Sequence, residues 1–280
     1  MPELPEVETV CRGLAKAMAG QKITRVETHR ANLRIPFPKN LKEVEGQKVK
    51  DIQRRAKYIL IHLSGGATLL MHLGMSGRMV IQGNNAEHVV EKHDHMVLHL
   101  SNGTRVVFND PRRFGMVDLV ASDAVAQHKF FQHLGPEPFA KEFNAGYLLE
   151  KLKKKIPSVK VAIMDQRLVV GVGNIYAAEA LFRAGINPKR KAGSIKKPEA
   201  EKLIEAIHFV LKAAIKAGGS SLRDYVQADG ELGYFQHHFA VYGRTGKACV
   251  GCTCDIEKTG GIQQITQGGR STFYCPRKQK

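Results

Sequence analysis

The sequence predicts an α+β protein of several domains: an N-terminal helix with a β-sandwich, a helical half, and a small C-terminal module. Three observations carry that reading. Residues 20–135 are mostly short alternating segments, rich in β-branched and aromatic side chains and separated by Gly and Asn turns. From 145 to about 217 the apolar spacing becomes helical. Four of the five cysteines fall in the last 32 residues, which suggests a local metal site more than a disulfide scaffold.

The 280 residues suffice for two domains with separate cores, and a hydrophobic content of 43% excludes a disordered chain. No apolar run approaches the roughly 18 residues that span a membrane, and the N-terminus lacks the basic-then-apolar order of a signal peptide. A cytoplasmic protein with no membrane partner is the expectation. The 43 Lys and Arg against 26 Asp and Glu leave +17, an excess that favours a polyanion by releasing counterions from phosphates. RNA binders share such a charge, so it narrows the partner and leaves the activity open.

The chain opens Met1-Pro2-Glu3-Leu4-Pro5-Glu6-Val7. If Met1 is removed, Pro2 becomes a secondary amine with a pKa of about 7.7–8.0, so that roughly a tenth is neutral and nucleophilic at pH 7. Its attack on an aldehyde carbon gives an iminium with no N–H to lose, a cationic electron sink, and Glu3 is near enough in sequence to move the protons. A plain helix start explains the same residues. Pro5, Glu6 and Glu8 suit the positive end of a helix whose apolar face is Val7, Val10, Leu14 and Met18.

Strands are expected over 22–27, 48–54, 58–63, 67–73, 78–81, 95–100 and 104–108, a spacing that suits a sandwich or barrel. Arg54-Arg55-Ala56-Lys57-Tyr58 puts Lys57 at a strand entrance, where a simple edge charge is also at home. Two glycine-ended tips follow strands. One runs His72-Leu73-Gly74-Met75-Ser76-Gly77-Arg78, with Met75 poorly placed for core packing; the other runs Asp110-Pro111-Arg112-Arg113-Phe114-Gly115. Lys92-His93-Asp94-His95 sets two histidines on one strand face, with no third metal ligand at an obvious spacing.

Residues 134–138 read as a linker. The helical half begins with a basic cluster, Lys151, Lys153, Lys154 and Lys155, either a solvated face or a phosphate contact. Gly171-Val172-Gly173-Asn174-Ile175-Tyr176 is a glycine turn between apolar helical stretches. It delivers Asn174 to the next helix start, where it can cap and where backbone N–H groups can receive a phosphate. The clearest helix spans 198–217, with Leu203, Ile204, Ile207, Leu211 and Ile215 on one face and Gly218-Gly219 as the stop. Residues 218–240 read as a polar loop. The expected domains are 1–135, 136–240 and 241–280.

The start PELPEVET resembles the N-terminal signature of the formamidopyrimidine-DNA glycosylase family. RRAKY, KHDH, GVGNIY and GGRSTFYC follow in that family's order, so the resemblance runs over nearly the whole chain. It implies a base-excision-repair enzyme that removes oxidised purines, such as 8-oxoguanine and formamidopyrimidines, from damaged double-stranded DNA. It also implies a monomer that cuts the strand by β- and δ-elimination. Pro2 is then the Schiff-base nucleophile, Glu3 the proton carrier, and Glu6 a support of the site or of the helix start. Lys57 assists β-elimination and Arg270 assists δ-elimination.

The same resemblance sends Met75, Arg112 and Phe114 into the duplex as wedges and orphan-base contact. It assigns His93, Lys155 and Asn174 to the phosphate backbone, Asn174 within a helix–two-turn–helix element. The stretch from Gly218, Gly219 and Ser220 to Phe235 caps the extruded base. The family's tail is a zinc finger, C-x2-C followed by C-x2-C. Here Cys249-x2-Cys252 is followed by Cys254 and Cys275, and Lys278 stands where a fourth cysteine belongs. Two outcomes stay open: a Zn2+ site of altered spacing formed by Cys249, Cys252, Cys254 and Cys275, or a metal-free hairpin held by packing of Phe273 and Tyr274. The functional alternatives are a sister enzyme for oxidised pyrimidines and a non-catalytic DNA-binding protein on the same scaffold.

Overall fold

An amphipathic helix, α1 (Leu4–Met18), opens the structure, a computed structural model that describes residues 2–83, 90–153, 155–220, 228, 233–251, 253 and 255–280. Its Val7, Val10, Cys11, Leu14 and Met18 recur at helical spacing and are buried. Glu3 is the N-cap, and Glu6 three residues on closes a capping box that satisfies backbone N–H groups at the helix start.

Eight strands follow: β1 (Ile23–Thr28), β2 (Val49–Arg55), β3 (Tyr58–Leu63), β4 (Ala67–His72), β5 (Arg78–Gln82), β6 (Asp94–Leu100), β7 (Arg105–Asn109) and β8 (Met116–Ala121). They form two four-stranded antiparallel sheets, ordered β1-β6-β7-β5 and β2-β3-β4-β8. Met79, Met96, Leu98, Val106 and Phe108 from one sheet share a core with Ile59, Ile61, Leu69, Met71 and Val117 from the other and with the apolar face of α1. The sandwich expected from the alternation is therefore the observed architecture. Of the eight strands, β8 is absent from those expected. Its Val117 and Leu119 are buried with a half-buried Asp118 between them, the right period, but the glycine-ended tip runs straight into it with no separate turn.

Besides four short 3-10 helices, the remaining elements among the described residues are α2 (Ala145–Leu152), α3 (Val159–Ile163), α4 (Asn174–Ala184), α5 (Lys197–Lys216), the short α6 (Ile256–Thr259) and a hairpin of β9 (Gln263–Gln267) and β10 (Arg270–Tyr274). Gly185 at φ +73° stops α4 in the left-handed conformation that glycine favours. Ala178 and Phe182 of α4 pack against Val241, Cys249, Ile262, Phe273 and Cys275. Glu179, 4% exposed, accepts N–H bonds from Ala240, Val241 and Tyr242 at 2.8, 3.0 and 2.8 Å. The tail is thus built into the helical half.

The chain forms two compact units, Met1–Gln132 with Ile215–Gln236, and His133–Ala214 with His237–Lys280. The sequence suggested three domains cut at 135 and 240. Two hydrogen bonds draw the segment after α5 to the sandwich instead: Ser220 N to Glu6 Oε1 at 2.9 Å and Ile81 N to Ala228 O at 2.8 Å. No helix among the described residues is long and apolar enough to cross a membrane.

Candidate active site

In the first unit, Pro2 is buried directly before α1, Glu3 is 3% exposed and Glu6 is 2% exposed. Glu6 Oε2 accepts from the Glu3 amide at 2.8 Å and Oε1 from the Ser220 amide at 2.9 Å. Both carboxylate oxygens hold backbone, so Glu6 is a support for Glu3 and Ser220. Ser220 is itself buried and bridges to Tyr234. Residues 221–227 and 229–232 of the expected capping loop lie outside the described residues.

Lys57 sits in the two-residue turn between β2 and β3, closed by the pair Arg55 and Tyr58. Its neighbour Ala56 has φ +54°, a left-handed conformation that costs a non-glycine residue about 1–2 kcal/mol. Arg54 braces this turn. Its Nε meets Glu8 of α1 at 3.0 Å and its Nη1 donates to Ala56 O at 3.1 Å. One guanidinium thus ties the helix carrying Pro2 and Glu3 to the turn carrying the buried Lys57.

His72, at the end of β4, stood in a quoted motif without a role. Burial, and after it the positive charges of Lys57 and Arg34, push its pKa down to about 4. The Gly74 amide donates to its Nδ1 at 2.9 Å, so the neutral ring carries its proton on Nε2. Its place depends on strand register, which pairs Tyr58 with His72, and local sequence gives no sign of that.

The two glycine-ended tips are the crossovers between the sheets. β4 leaves one sheet at His72 and β5 joins the other at Arg78; β7 leaves at Asn109 and β8 joins at Met116. Because His72 pairs with Met116 and Arg78 with Asn109, the crossovers run side by side. Buried Asp110 locks them: Oδ1 accepts from Ser76 Oγ at 2.6 Å and Oδ2 from Gly115 N at 2.7 Å, while Arg112 N donates to Ser76 Oγ at 3.1 Å. Gly74, at φ +63°, lies so close that a Cβ there would stand 2.3 Å from the Phe114 carbonyl carbon. The tips present Met75 at 37% and Phe114 at 42% exposure, with the Arg112 guanidinium 5.1 Å from the Phe114 ring centroid. His93 is half-buried, its ring 6.4 Å from that of His95, whose Nε2 is engaged by Asp110 O at 2.9 Å.

In the second unit, Gly173 is the N-cap of α4 and Asn174 its first helical residue. The expectation that Asn174 caps the helix is corrected here, because its side chain points to other partners. Its Oδ1 accepts from Lys160 Nζ, and its Nδ2 donates to Ser271 O at 2.9 Å. Lys160, fully buried on α3, was missed by the sequence reading because it looks like one more surface lysine. Lys155 Nζ meets Asp165 at 3.1 Å, and Arg167 binds the same carboxylate at 3.0 Å. Hydrogen bonds from Arg167, and after them from Lys155, hold Asp165 down at about 2. Lys155, Arg167 and Arg270 line one groove of about 650 Å³. Arg270 follows the Gly268-Gly269 turn of the hairpin, both glycines at positive φ, as a tight two-residue hairpin turn requires.

Among the metal candidates, Cys249 and Cys275 are buried with their sulfurs 3.3 Å apart. Two thiolates on a tetrahedral zinc, with Zn–S about 2.3 Å, stand about 3.8 Å apart, so the pair would open by about half an ångström to take two of four ligand positions. Burial, and then the Cys275 hydrogen bond, raise the Cys249 thiol to about 11. Cys252 and Cys254 lie outside the described residues. Lys278 donates its amide to Cys275 Sγ at 3.4 Å, while its ammonium lies 4.3 Å from the Phe182 ring centroid, a packing position and not a ligand's. Among the described residues no group of three or more His, Cys, Asp or Glu is placed to hold a metal.

Comparison with known proteins places these features in a family. Residues 1–117 match the formamidopyrimidine-DNA glycosylase N-terminal domain and 134–226 the H2TH domain of formamidopyrimidine-DNA glycosylase. A Ruegeria pomeroyi protein named formamidopyrimidine-DNA glycosylase is 54% identical over 287 aligned positions, covering all of both chains. Among solved structures, a mutant of the Lactococcus lactis Fpg bound to Fapy-dG-containing DNA superposes with a TM-score of 0.89 at 35% identity, again over the whole of both chains. The wild-type L. lactis protein bound to oxidised-pyrimidine-containing DNA gives 0.88 at 34%, over the same extent.

Proposed function

The chain belongs to the formamidopyrimidine-DNA glycosylase family, and from that premise we propose that it excises oxidised purines from duplex DNA and then cuts the strand through an N-terminal proline amine. The observation that carries this reading is the pairing of buried Pro2 and Glu3 with buried Lys57 through the Glu8–Arg54–Ala56 bridge. A nucleophilic amine, a carboxylate and a second amine are the groups that Schiff-base chemistry needs.

In the proposed sequence, Met75, Arg112 and Phe114 fill the stack as the damaged nucleotide swings out. With Met1 removed, the Pro2 nitrogen attacks the sugar C1′, and the base leaves with the glycosidic electron pair and a proton relayed by Glu3. The iminium draws electrons from the neighbouring C2′–H bond. Lys57 assists loss of that proton, and β-elimination expels the 3′ phosphate. Arg270 assists the following δ-elimination, which expels the 5′ phosphate. His93, Lys155 and Asn174 are the proposed backbone contacts of a cytoplasmic monomer working on nucleoid DNA. The +17 charge supports a DNA partner.

The tail carries a second part of the proposal: Cys249, Cys252, Cys254 and Cys275 hold one structural Zn2+, which would cross-link the segment before the hairpin to its last strand. A second lesion class is favoured by one observation, the relative solved with an oxidised-pyrimidine duplex.

Borohydride trapping tests the reading. The protein is incubated with a duplex carrying 8-oxoguanine opposite cytosine, reduced, and the cross-link located by peptide mass. The expected adduct is on Pro2. Replacing Pro2 with glycine slows it and blocking the amine abolishes it. Tight duplex binding with no adduct on either a purine or a pyrimidine lesion would leave only a DNA-binding protein.

A further inference from the structure

Thr9, Arg12 and Lys16 stand at i, i+3 and i+7 on α1, one face of the helix. Together with Lys216, Gly218 and Tyr234 they line a cavity of about 350 Å³, within the size range of small-molecule sites. Its wall is closed where Gly13 meets Ala228. A Cβ on Gly13 would lie 3.2 Å from that of Ala228, and this close approach accounts for a glycine inside a helix, where alanine is otherwise favoured.

The cavity is cationic. Arg12 gives its Nε to Glu8 at 3.0 Å, but Glu8 is also held by Arg54 at 3.0 Å, so one carboxylate is shared by two guanidinium groups. Lys16 and Lys216 add two charges with no ion pair among the described residues. Tyr234, an aromatic residue 55% exposed, lines the same space. Cations beside a half-exposed aromatic residue are complementary to a phosphate ester that carries a flat base.

We propose that this cavity binds a nucleoside monophosphate, with its phosphate against Arg12, Lys16 and Lys216 and its base against Tyr234. The ligand touches α1 and both flanks of the segment whose Ser220 amide bonds Glu6. The site lies further along α1 than Pro2 and Glu3, and the proposal does not rest on the lesion chemistry.

Calorimetric titration of the full chain with AMP, adenosine and inorganic phosphate tests it, with and without a saturating undamaged duplex. One AMP is expected to bind about tenfold or more tighter than phosphate, adenosine not to bind, and the duplex not to displace AMP. The R12A/K216A variant should lose about tenfold or more in AMP affinity while excising lesions within about twofold of the parent rate, which also shows that it folds. Y234A should bind AMP no more tightly than phosphate. Absence of AMP binding, displacement of AMP by the duplex, or unchanged AMP affinity in R12A/K216A overturns the proposal; displacement puts the nucleotide on the duplex-binding surface, and unchanged affinity puts it outside this cavity.

Discussion

Glu6 and Ser220 stand 214 residues apart in the chain and are joined by a 2.9 Å hydrogen bond from the Ser220 amide to Glu6 Oε1. The other oxygen of the same carboxylate holds the Glu3 amide. One buried side chain thus links the start of α1 to the segment after α5. Glu6→Ala leaves two buried N–H groups without this acceptor, each costing about 1–3 kcal/mol. The expected outcome is a melting temperature lower by several degrees and slower single-turnover base release, with Glu6→Gln intermediate because one carbonyl oxygen remains. A Glu6→Ala protein that melts and reacts like the parent would remove Glu6 from this role.

His72 predicts an acid-labile fold. Folded His72 titrates near 4 against 6.5 for the free imidazole. Between those values the unfolded chain binds a proton that the folded chain does not. The His72 contribution is therefore fully present above pH 6.5 and is lost as pH falls toward 4, a change of order 1–3 kcal/mol. Urea unfolding at about pH 5 and about pH 7 measures it, and His72→Gln should flatten the difference. An unchanged pH slope in that variant would assign the lability elsewhere.

Lys155 gives a prediction about salt. It pairs with Asp165 in the groove it shares with Arg270. If it neutralises one phosphate on binding, Lys155→Ala lowers the slope of log K against log salt by about 0.9 and weakens damaged and undamaged duplexes alike. A slope equal to the parent's would mean that Lys155 stays with Asp165 and meets no phosphate.

Metal content decides the tail. Elemental analysis should find one zinc per chain, with Cys275→Ser losing the metal and lowering the melting temperature. Chelation should do the same to the parent and release protons on reloading, because thiols such as Cys249, raised to about 11, must ionise to bind. A metal-free parent that melts normally in chelator would establish the hairpin as held by packing of Phe273 and Ile262 alone.

Much of the fold was legible because its signals are local. The spacing of Val7, Val10, Leu14 and Met18 predicted α1, and alternation between Gly and Asn turns predicted seven strands within a residue or two of those observed. The exposed tips at Met75 and Phe114 were legible for the same reason, since glycine flanks and an apolar side chain with nowhere to pack are neighbours in sequence. The C-terminal hairpin was legible, but its packing on α4 was not. The hairpin has little apolar surface of its own, and it borrows Ala178 and Phe182 of α4 to bury Phe273 and Cys275.

By itself the sequence determined the sandwich and helical halves, the basic excess and the family resemblance that the comparisons bear out. Each of these depends on residue types at short spacings, and capping, alternation and amphipathic periodicity act over a few residues. Tertiary structure alone decided that Glu6 braces Ser220, that His72 stays neutral beside Lys57, and that Asn174 turns from its own helix to Lys160 and Ser271. Those pairings join distant segments through strand register and core packing. A hydrogen bond or a Coulomb interaction acts over a few ångströms of space, and nothing in the pattern of either segment specifies which partner that space will hold.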